Sequence, residues 1–313
     1  MPEPLISICV PTYERVDFLQ RLLESIKIQT FRDFEVIITD DSKTEAVSTY
    51  IKGYTNDFQL YYHKNTPALG TARNMVEGKK YARSQWMKII HDDDFFASEH
   101  ALQSYADAIA SGAKIIFAGF NIYLEDTGVS TDNSISQKQF RKISRDPSLL
   151  FGHNLLGPPS VLMVHNSIKE VYDPSLRWFT DVEYYYRVLA KENGYYIDRP
   201  LVSISYNDSQ ITSYTRTNPK VVIPESLYLI NKYGKGVASN IIAYDSWWRV
   251  FRNMDIKTVD DLKYFAPDES IPVFVKKMLM HQRLIPGKLI KMGLVSKMAM
   301  SLSFIFNSRR VKY

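Results

Sequence analysis

The sequence has a single cysteine and no long apolar run. Cys9 lies inside the apolar stretch Leu5–Val10, so no internal disulfide and no cysteine metal site can form. No uninterrupted apolar run approaches the roughly 18 residues that a bilayer-spanning helix needs. No basic stretch followed by an apolar run opens the chain, so no secretory signal is visible. We therefore expect a cytoplasmic protein from a reducing compartment.

Acidic residues are also missing from the C-terminal segment, which has none after Glu269. The same segment carries nine basic residues: Lys276, Lys277, Arg283, Lys288, Lys291, Lys297, Arg309, Arg310 and Lys312. They alternate with apolar residues, which fits either a surface helix packed on the domain or an amphipathic helix on an anionic membrane. We favour peripheral contact with the inner face of the cell membrane through residues 270–313. A nucleic-acid partner is not expected, because no known binding motif accompanies the basic residues.

The remaining composition is that of a folded α/β protein. Hydrophobic residues make up 45% of the chain, which is enough for a sizeable core. Apolar runs that favour strands alternate with helical patterns through the first 120 residues, which predicts a mostly parallel sheet flanked by helices. Apolar residues return at helical spacing from Pro219 onward. The predicted organisation is a catalytic domain over 1–218 and a helical, basic C-terminal annex over 219–313.

Polar residues follow three of the predicted strands. Thr12 follows the first, Asp40 and Asp41 follow the second, and the triplet 92–94 follows the strand that begins at Trp86. In such sheets ligands bind outside the carboxyl ends of the strands. Three adjacent carboxylates there suit a hard divalent cation such as Mg²⁺ or Mn²⁺. The alternative is a polar turn in which Asp94 or Ser98 caps the next helix.

Several short motifs in the first hundred residues resemble the inverting family 2 glycosyltransferases of bacterial polysaccharide assembly. They are Pro11-Thr12-Tyr13-Glu14-Arg15, with Glu where the family usually has Asn; Gln29-Thr30 followed by Glu35; Ile38-Thr39-Asp40-Asp41-Ser42; Gly70-Thr71-Ala72-Arg73-Asn74; and His91-Asp92-Asp93-Asp94. The resemblance implies the Rossmann-like GT-A fold. It also implies a nucleotide-sugar donor and a divalent metal, Mn²⁺ or Mg²⁺.

The resemblance assigns a role to each matching residue. The residues implied in nucleotide binding are Pro11, Thr12, Tyr13, Glu14, Asp41, Arg73 and Asp92. Asp41 would accept a hydrogen bond from uracil, and Asp92 would face the ribose or the metal. Asp93 would be the main metal ligand, with Asp94 beside it. His91 stands at the usual first acidic position of this motif, and we interpret it as a hydrogen-bonded polar residue rather than as a ligand.

The resemblance continues more weakly downstream. Tyr172-Asp173-Pro174-Ser175-Leu176 resembles a family motif that a Glu-Asp pair follows, and Thr180-Asp181 stands at that pair. Asp181 would then be the general base, with Glu183 as the alternative. The loop that begins at Asn207 resembles one that often supplies a His to the metal or the diphosphate.

These assignments predict a metal-dependent inverting glycosyltransferase. It would move a sugar, with UDP as the expected nucleotide, to a saccharide or lipid-linked saccharide acceptor in surface-polysaccharide biosynthesis. One alternative is a catalytically inactive nucleotide- or sugar-binding module on the same fold, suggested by His91 and Thr180. A nucleic-acid-binding protein and a nucleotidyltransferase are further alternatives. The second usually needs an N-terminal glycine-rich phosphate loop, which this sequence lacks.

Overall fold

The computed structural model describes residues 3–206, 215 and 217–308. Within these residues the chain forms two compact units. The first contains residues 3–147, 155–174 and 180–206, and the second contains 148–154, 175–179, 215 and 217–308. Two short segments from the middle of the chain thus belong to the second unit, which a division at residue 218 does not anticipate. The exact domain boundary stays a prediction.

The first unit combines nine strands with six α-helices along its described residues. The strands are β1 (Ile6–Thr12), β2 (Phe34–Asp40), β3 (Gln59–Lys64), β4 (Trp86–Ile89), β5 (Phe95–Phe96), β6 (Ile115–Leu124), β7 (Val129–Asp132), β8 (Leu162–His165) and β9 (Gly194–Tyr206). The helices are α1 (Val16–Lys27), α2 (Ala46–Gly53), α3 (Thr71–Glu77), α4 (Ala101–Ala108), α5 (Gln137–Arg145) and α6 (Thr180–Leu189).

All nine strands belong to one sheet, in the order β3-β2-β1-β4-β8-β6-β9-β5, with β7 paired to β6. The four strands β3, β2, β1 and β4 are mutually parallel, as the sequence predicts. Beyond β4 the sheet is mixed, because β8 runs antiparallel to both β4 and β6 while β9 runs parallel to β6. The parallel half places the carboxyl ends of β1, β2 and β4 side by side.

Helices cover both faces of the parallel half. On one face Ile8 and Val10 of β1 share a buried cluster with Leu22 of α1 and Leu102 of α4. On the other face a short 3₁₀ turn at Gly78–Lys80 packs so closely that a Cβ at Gly78 would lie 2.9 Å from Cys9 Cβ. Only a glycine fits there, and burial raises the pKa of the Cys9 thiol to about 12. Cys9 is therefore a packing residue rather than a reactive thiol.

A left-handed residue forms the turn between β1 and α1. Glu14 has a φ of 62°, a conformation that non-glycine residues rarely adopt and that Asn tolerates best. The Glu14 carboxylate accepts the backbone N–H groups of Lys43 at 2.7 Å and Thr44 at 3.0 Å. The Glu14 N–H donates to Ser42 Oγ at 2.7 Å. These bonds hold the strained turn in place, which explains how Glu can stand where Asn is usual.

A fully buried lysine lies in β4. The Lys88 ammonium donates to the carbonyl oxygens of Ile89, at 2.8 Å, and of Ser160. It also lies 4.9 Å from the centroid of the Tyr105 ring. Burial lowers the pKa of Lys88 from 10.5 to about 7, although the charge of Asp94 opposes the shift. Lys88 thus joins β4 to the turn that carries Ser160.

The second unit is helical in its described part. Its helices are α7 (Pro219–Ala238), which is broken at Gly234, α8 (Ile241–Asn253), α9 (Val259–Phe265), α10 (Val273–Arg283), α11 (Gly287–Ile290) and α12 (Gly293–Ser308). Trp247 and Trp248 are both buried in its core, so neither offers a stacking surface to a sugar. Phe151 and Phe179, from the two short segments, lie 6.0 and 5.5 Å from the Trp247 ring. The described residues include no helix with the length and hydrophobicity to span a bilayer.

The strain at Glu14 predicts an unusual order of stabilities. Glu14→Ala and Glu14→Gly both remove the carboxylate, but only Gly adopts a positive φ without strain. We therefore expect the Gly variant to melt at a higher temperature than the Ala variant, with Glu14→Asn nearest the wild type. At Asp17, an exposed position in α1, the order of Ala and Gly should be reversed. Thermal denaturation of the five variants tests this, and an Ala variant as stable as the Gly variant at position 14 would contradict it.

Lys88 predicts a pH dependence of stability. Because its pKa is lowered in the folded protein, the unfolded chain binds more protons between pH 7 and 10.5, so stability rises with pH across that range. Lys88→Met lacks this contribution. Relative to the variant, the wild-type free energy of unfolding should rise by up to about 1.4 kcal/mol per pH unit. Urea denaturation of both proteins near pH 7, 8 and 9 measures the difference, and a constant difference would argue against a lowered pKa.

Candidate active site

The carboxyl ends of β1, β2 and β4 bring the predicted polar residues together. In the register of the sheet Thr12 pairs with Asp40. The Asp41 N–H donates to the Thr12 carbonyl oxygen at 3.0 Å, and the Thr12 hydroxyl donates to Asp92 Oδ2 at 2.8 Å. Thr12 therefore links the acidic residues that follow β2 to those that follow β4.

Asp92 is a buried carboxylate with three donors. Besides the Thr12 hydroxyl, it accepts the Tyr13 N–H at 3.2 Å and pairs with Arg15 Nη2 at 2.5 Å. Burial nevertheless raises the pKa of Asp92 to about 6, because the loss of hydration outweighs the effect of Arg15. The three donors therefore offset only part of the cost of burying the ionised carboxylate.

Two arginines hold Asp93. Arg15 Nη1 donates to Asp93 Oδ2 at 2.8 Å, and Arg21 Nη2 donates to the Asp93 carbonyl oxygen at 2.9 Å. Arg21 is itself fixed by an ion pair with Glu125 at 2.8 Å and by the Phe95 ring, whose centroid lies 4.6 Å from its guanidinium carbon. Among the described residues nothing donates to Asp93 Oδ1, so this oxygen is left for a ligand.

Asp94 is buried, as Asp92 is. It accepts the Ser160 hydroxyl and, at 3.2 Å, the Ser205 N–H. Burial, reinforced by the charge of Asp93, raises the pKa of Asp94 well above its usual value. Ser160 also accepts the His91 N–H at 2.9 Å, so one hydroxyl fixes both ends of the turn 91–94.

His91 lies with two of these acids. His91, Asp93 and Asp94 each offer one ligand atom, and these atoms all lie within 4.8 Å of one another. The described contact of the imidazole is a weak one, with Met75 Sδ at 3.3 Å from Nε2. Burial lowers the pKa of His91, so the ring is neutral near pH 7, the form that binds metals. His91 is thus a candidate ligand and not only the hydrogen-bonded polar residue that the sequence suggested.

This donor set fits a divalent cation. Carboxylate oxygens and a neutral imidazole nitrogen are both common metal ligands. Among the described residues Arg15 is the cation that pairs with these acidic side chains, so one positive charge faces three carboxyl groups. A bound cation would supply the missing positive charge.

Asp41 organises the loop before α3. Its carboxylate accepts Asn65 Nδ2 at 2.7 Å, the Leu69 N–H at 3.0 Å and the Gly70 N–H at 2.8 Å. A carboxylate offers about four lone-pair positions, so about one is left for a further donor. The predicted contact with a nucleobase is compatible with this geometry, and it stays a prediction.

The other predicted nucleotide residues have different surroundings. Pro11 lies near the end of β1, and the Tyr13 side chain is exposed. The Glu14 carboxylate is occupied by the 43–44 backbone, as described above. Arg73 is exposed, and its side chain has no hydrogen bond or ion pair to any described residue. Its neighbour Asn74 is buried and donates to the Thr39 carbonyl oxygen at 3.0 Å, so the Arg-Asn motif directs one side chain outward and one inward.

The predicted base, Asp181, lies in the first turn of α6, where its Oδ1 atom accepts the Val182 N–H at 2.9 Å. The alternative, Glu183, is fully buried and forms a two-point ion pair with Arg187, with both N–O distances 2.8 Å. A carboxylate held in this way is a poor proton acceptor, which favours Asp181. Asn207 lies outside the described residues.

Sequence reasoning missed the residues that hold the acids. Arg15 was visible as the last residue of the Pro-Thr-Tyr-Glu-Arg motif, but nothing in the motif says which way its side chain points. Ser160 and Ser205 have no local signal at all, because they approach Asp94 from positions 66 and 111 residues away. His91 could have been found from its place beside the triplet.

Residues 7–167, which are 161 of the 313, match the family model described as glycosyl transferase family 2. The abequosyltransferase RfbV of Salmonella typhimurium is 35% identical over 112 residues, 34% of each chain. A GalNAc(5)-diNAcBac-PP-undecaprenol β-1,3-glucosyltransferase of Campylobacter jejuni is 26% identical over 147 residues, 44% of this chain and 47% of that one. The chain therefore spans between a third and half of the length of these two relatives.

Solved structures resemble the chain over nearly its whole length. Staphylococcus aureus TarS 1–349, in complex with UDP-GlcNAc, gives a TM-score of 0.59 at 13% identity and covers 98% of this chain and 90% of that one. The mannosyltransferase PcManGT of Pyrobaculum calidifontis, in complex with GDP-Man and Mn²⁺, gives a TM-score of 0.56 at 11% identity, with coverages of 100% and 89%. These likenesses confirm the GT-A fold. Because the family model matches just over half of the sequence, the chain belongs to glycosyl transferase family 2.

Proposed function

We propose that this glycosyltransferase is metal-dependent and inverting, and that it uses a UDP-sugar to extend a saccharide or lipid-linked saccharide in surface-polysaccharide assembly. The observation that carries the proposal is the cluster of His91, Asp93 and Asp94 at the carboxyl end of β4, beside Asp92. The Campylobacter relative, a GalNAc(5)-diNAcBac-PP-undecaprenol β-1,3-glucosyltransferase, supports a lipid-linked saccharide acceptor. The nucleotide sugars bound to the two structural neighbours support the donor class.

Donor binding would use the edge formed by β1, β2 and α3. Pro11, Thr12, Tyr13 and Glu14 would line the base pocket. Asp41 would use its remaining acceptor position for the uracil N–H. Arg73, exposed at the start of α3, would turn toward the phosphates, and Asp92 would face the ribose.

His91, Asp93 and Asp94 would hold the metal. The mixed oxygen and nitrogen set favours Mn²⁺ over the harder Mg²⁺. When bound, such a cation neutralises the negative charge that develops on the departing diphosphate. The chain's own contribution is to hold the three ligands through Ser160, Ser205 and the two arginines.

Asp181 would act as the general base. An acceptor hydroxyl must lose its proton as it attacks the anomeric carbon, and a carboxylate on the face opposite the diphosphate can take that proton. A single displacement of this kind inverts the anomeric configuration.

Two substitutions separate the metal role from the base role. Asp181→Asn should lower kcat by about 10²- to 10⁴-fold, the usual contribution of a general base, and leave UDP binding intact. Asp93→Asn should lower kcat and also abolish the Mn²⁺ dependence of UDP binding. A donor screen measured by nucleotide release, with calorimetry for UDP, provides both measurements.

The control is Asp126→Asn, which changes an exposed aspartate in the β6–β7 turn. Near-wild-type turnover in either Asp93→Asn or Asp181→Asn would reject the role given to that residue. UDP binding without turnover on any donor would instead support the inactive binding module.

The proposed membrane contact has its strongest support in α12, whose exposed face is apolar. Leu294, Met298 and Leu302 recur every fourth residue and are 75%, 61% and 56% exposed. Apart from Met300, the buried side chains of the helix are polar instead: Ser296, Ser303 and Asn307. Ser296 accepts the Trp248 indole N–H at 3.0 Å, and Asn307 donates to the Tyr244 hydroxyl at 2.7 Å. This is the reverse of a helix that packs an apolar face on its own domain.

The charges near the apolar face of α12 indicate what kind of surface it binds. The described segment 270–308 contains basic but no acidic side chains. Lys288, Lys291 and Lys297 each precede an exposed apolar residue in the sequence, namely Leu289, Met292 and Met298. Exposed apolar groups with only positive charge around them suit an anionic lipid surface, where each basic residue contributes about 1 kcal/mol. We therefore propose peripheral binding to the inner face of the cell membrane, which would bring the enzyme to a lipid-linked acceptor.

Vesicle flotation tests the contact. The wild type should float with vesicles containing phosphatidylglycerol, and less with pure phosphatidylcholine or at high salt. Replacing Leu294, Met298 and Leu302 together by Ser should abolish flotation without unfolding the protein, because all three side chains are exposed. The matched control replaces the exposed Leu124 and Val129 of the first unit by Ser. Equal flotation of the triple variant and the wild type would contradict the proposed membrane contact.

A further inference from the structure

Arg15 occupies a place that helix electrostatics disfavour. It is the N-cap residue of α1, and no side chain caps this helix. The N-terminus of a helix carries partial positive charge, so a cation there is destabilising unless another group compensates. The compensation is the pair of short contacts with Asp92 and Asp93, at 2.5 and 2.8 Å. The ion pairs with Asp92 and Asp93, and not the electrostatics of the helix, therefore favour the position of the Arg15 side chain.

The turn before α1 sets the direction in which the Arg15 side chain points. Because Glu14 is left-handed, the chain reverses at once after β1, and Arg15 lies beside the acids that follow β4. The bonds from Glu14 to the 43–44 backbone keep the turn in place. The Arg15 side chain is 34% exposed, so it has room to exchange partners.

Arg15 and the expected metal need the same carboxylate. Asp93 is the acid with a free Oδ1 atom and a place in the cluster with His91 and Asp94. Its Oδ2 atom is already paired with Arg15 Nη1. A divalent cation at Asp93 would lie only a few ångströms from a guanidinium, and at such distances two positive charges repel strongly in a partly buried site.

We propose that Arg15 is a tethered counter-ion that competes with the divalent cation for Asp93 and makes cation binding depend on the nucleotide diphosphate. Without a nucleotide, the guanidinium pairs with both Asp92 and Asp93 and weakens binding of the free cation. A diphosphate brings its own negative charge and gives Arg15 a second anionic partner. The guanidinium then shares the site with the cation instead of excluding it. This proposal rests on the proposed metal site and adds an order of binding to it.

The competition predicts that a mutation at Arg15 tightens metal binding. Arg15→Met keeps the apolar stem of the side chain and removes the charge. Measured by calorimetry and by electron paramagnetic resonance of free Mn²⁺, its Kd for Mn²⁺ without nucleotide should fall by about tenfold or more, since a repulsive charge is removed at close range. In the wild type UDP should tighten Mn²⁺ binding strongly, and in Arg15→Met this coupling should be much smaller.

Two further variants show whether the positive charge at position 15 causes the weak Mn²⁺ binding and its coupling to UDP. Arg15→Lys keeps a cation in place and should retain the weak Mn²⁺ binding and the strong coupling to UDP of the wild type. Arg83→Met removes an arginine of equal exposure, 34%, that also pairs with a buried carboxylate, that of Glu35 in β2, outside the acidic cluster. It should leave both quantities unchanged. The melting temperature without metal should fall in Arg15→Met, and added Mn²⁺ should restore more of it than in the wild type.

The outcomes distinguish this inference from the proposed function. Mn²⁺ binding that is unchanged or weaker in Arg15→Met, or a lysine variant that behaves like the methionine variant, would overturn the competition while leaving the metal site intact. If Mn²⁺ binds neither the wild type nor Arg15→Met with UDP present, the metal site itself fails and the competition fails with it.

Discussion

Three adjacent carboxylates at the end of a buried strand are the constraint on which the first unit depends. Asp92, Asp93 and Asp94 follow β4, where little water reaches them, and each raises the electrostatic cost of ionising the next. Such a triplet is tolerated only if its surroundings supply donors and positive charge. The fold supplies donors from β1, from the start of α1, and from the distant Ser160 and Ser205. Elements far apart in sequence are thereby fixed against one another at one edge of the sheet.

The motif residues divide into those that brace the site and those that face outward. Asn74 and most of the Asp41 carboxylate are used internally, to hold the strand ends and the loop before α3. Glu14 holds the left-handed turn that directs Arg15. Arg73, Asp93 Oδ1 and the His91 ring keep binding capacity. A residue can therefore matter to a glycosyltransferase site without touching the substrate, and burial and hydrogen bonds tell the two groups apart.

Patterns with a local physical cause were predictable from the sequence. Apolar runs that end in polar residues located β1, β2 and β4, and the strand–helix alternation gave the parallel half of the sheet. The antiparallel position of β8 between β4 and β6 was not predictable, because strand pairing depends on contacts that no short segment encodes. The triplet could be proposed as a metal site from its position, whereas the pairing of Arg15 with it depends on one backbone angle at Glu14. In the second unit helical spacing was visible, but the apolar outer face of α12 became evident only once its polar residues were found buried.

The central claim is that the acidic cluster after β4 is a metal site. Crystals grown with UDP and Mn²⁺, with diffraction data recorded at the manganese absorption edge, test it most directly. We expect one anomalous peak within bonding distance of Asp93, with His91 and Asp94 as the other protein ligands, and an Arg15 guanidinium that no longer pairs with both Asp92 and Asp93. Nucleotide bound at this edge without manganese at Asp93, and with Arg15 still paired to both Asp92 and Asp93, would contradict it.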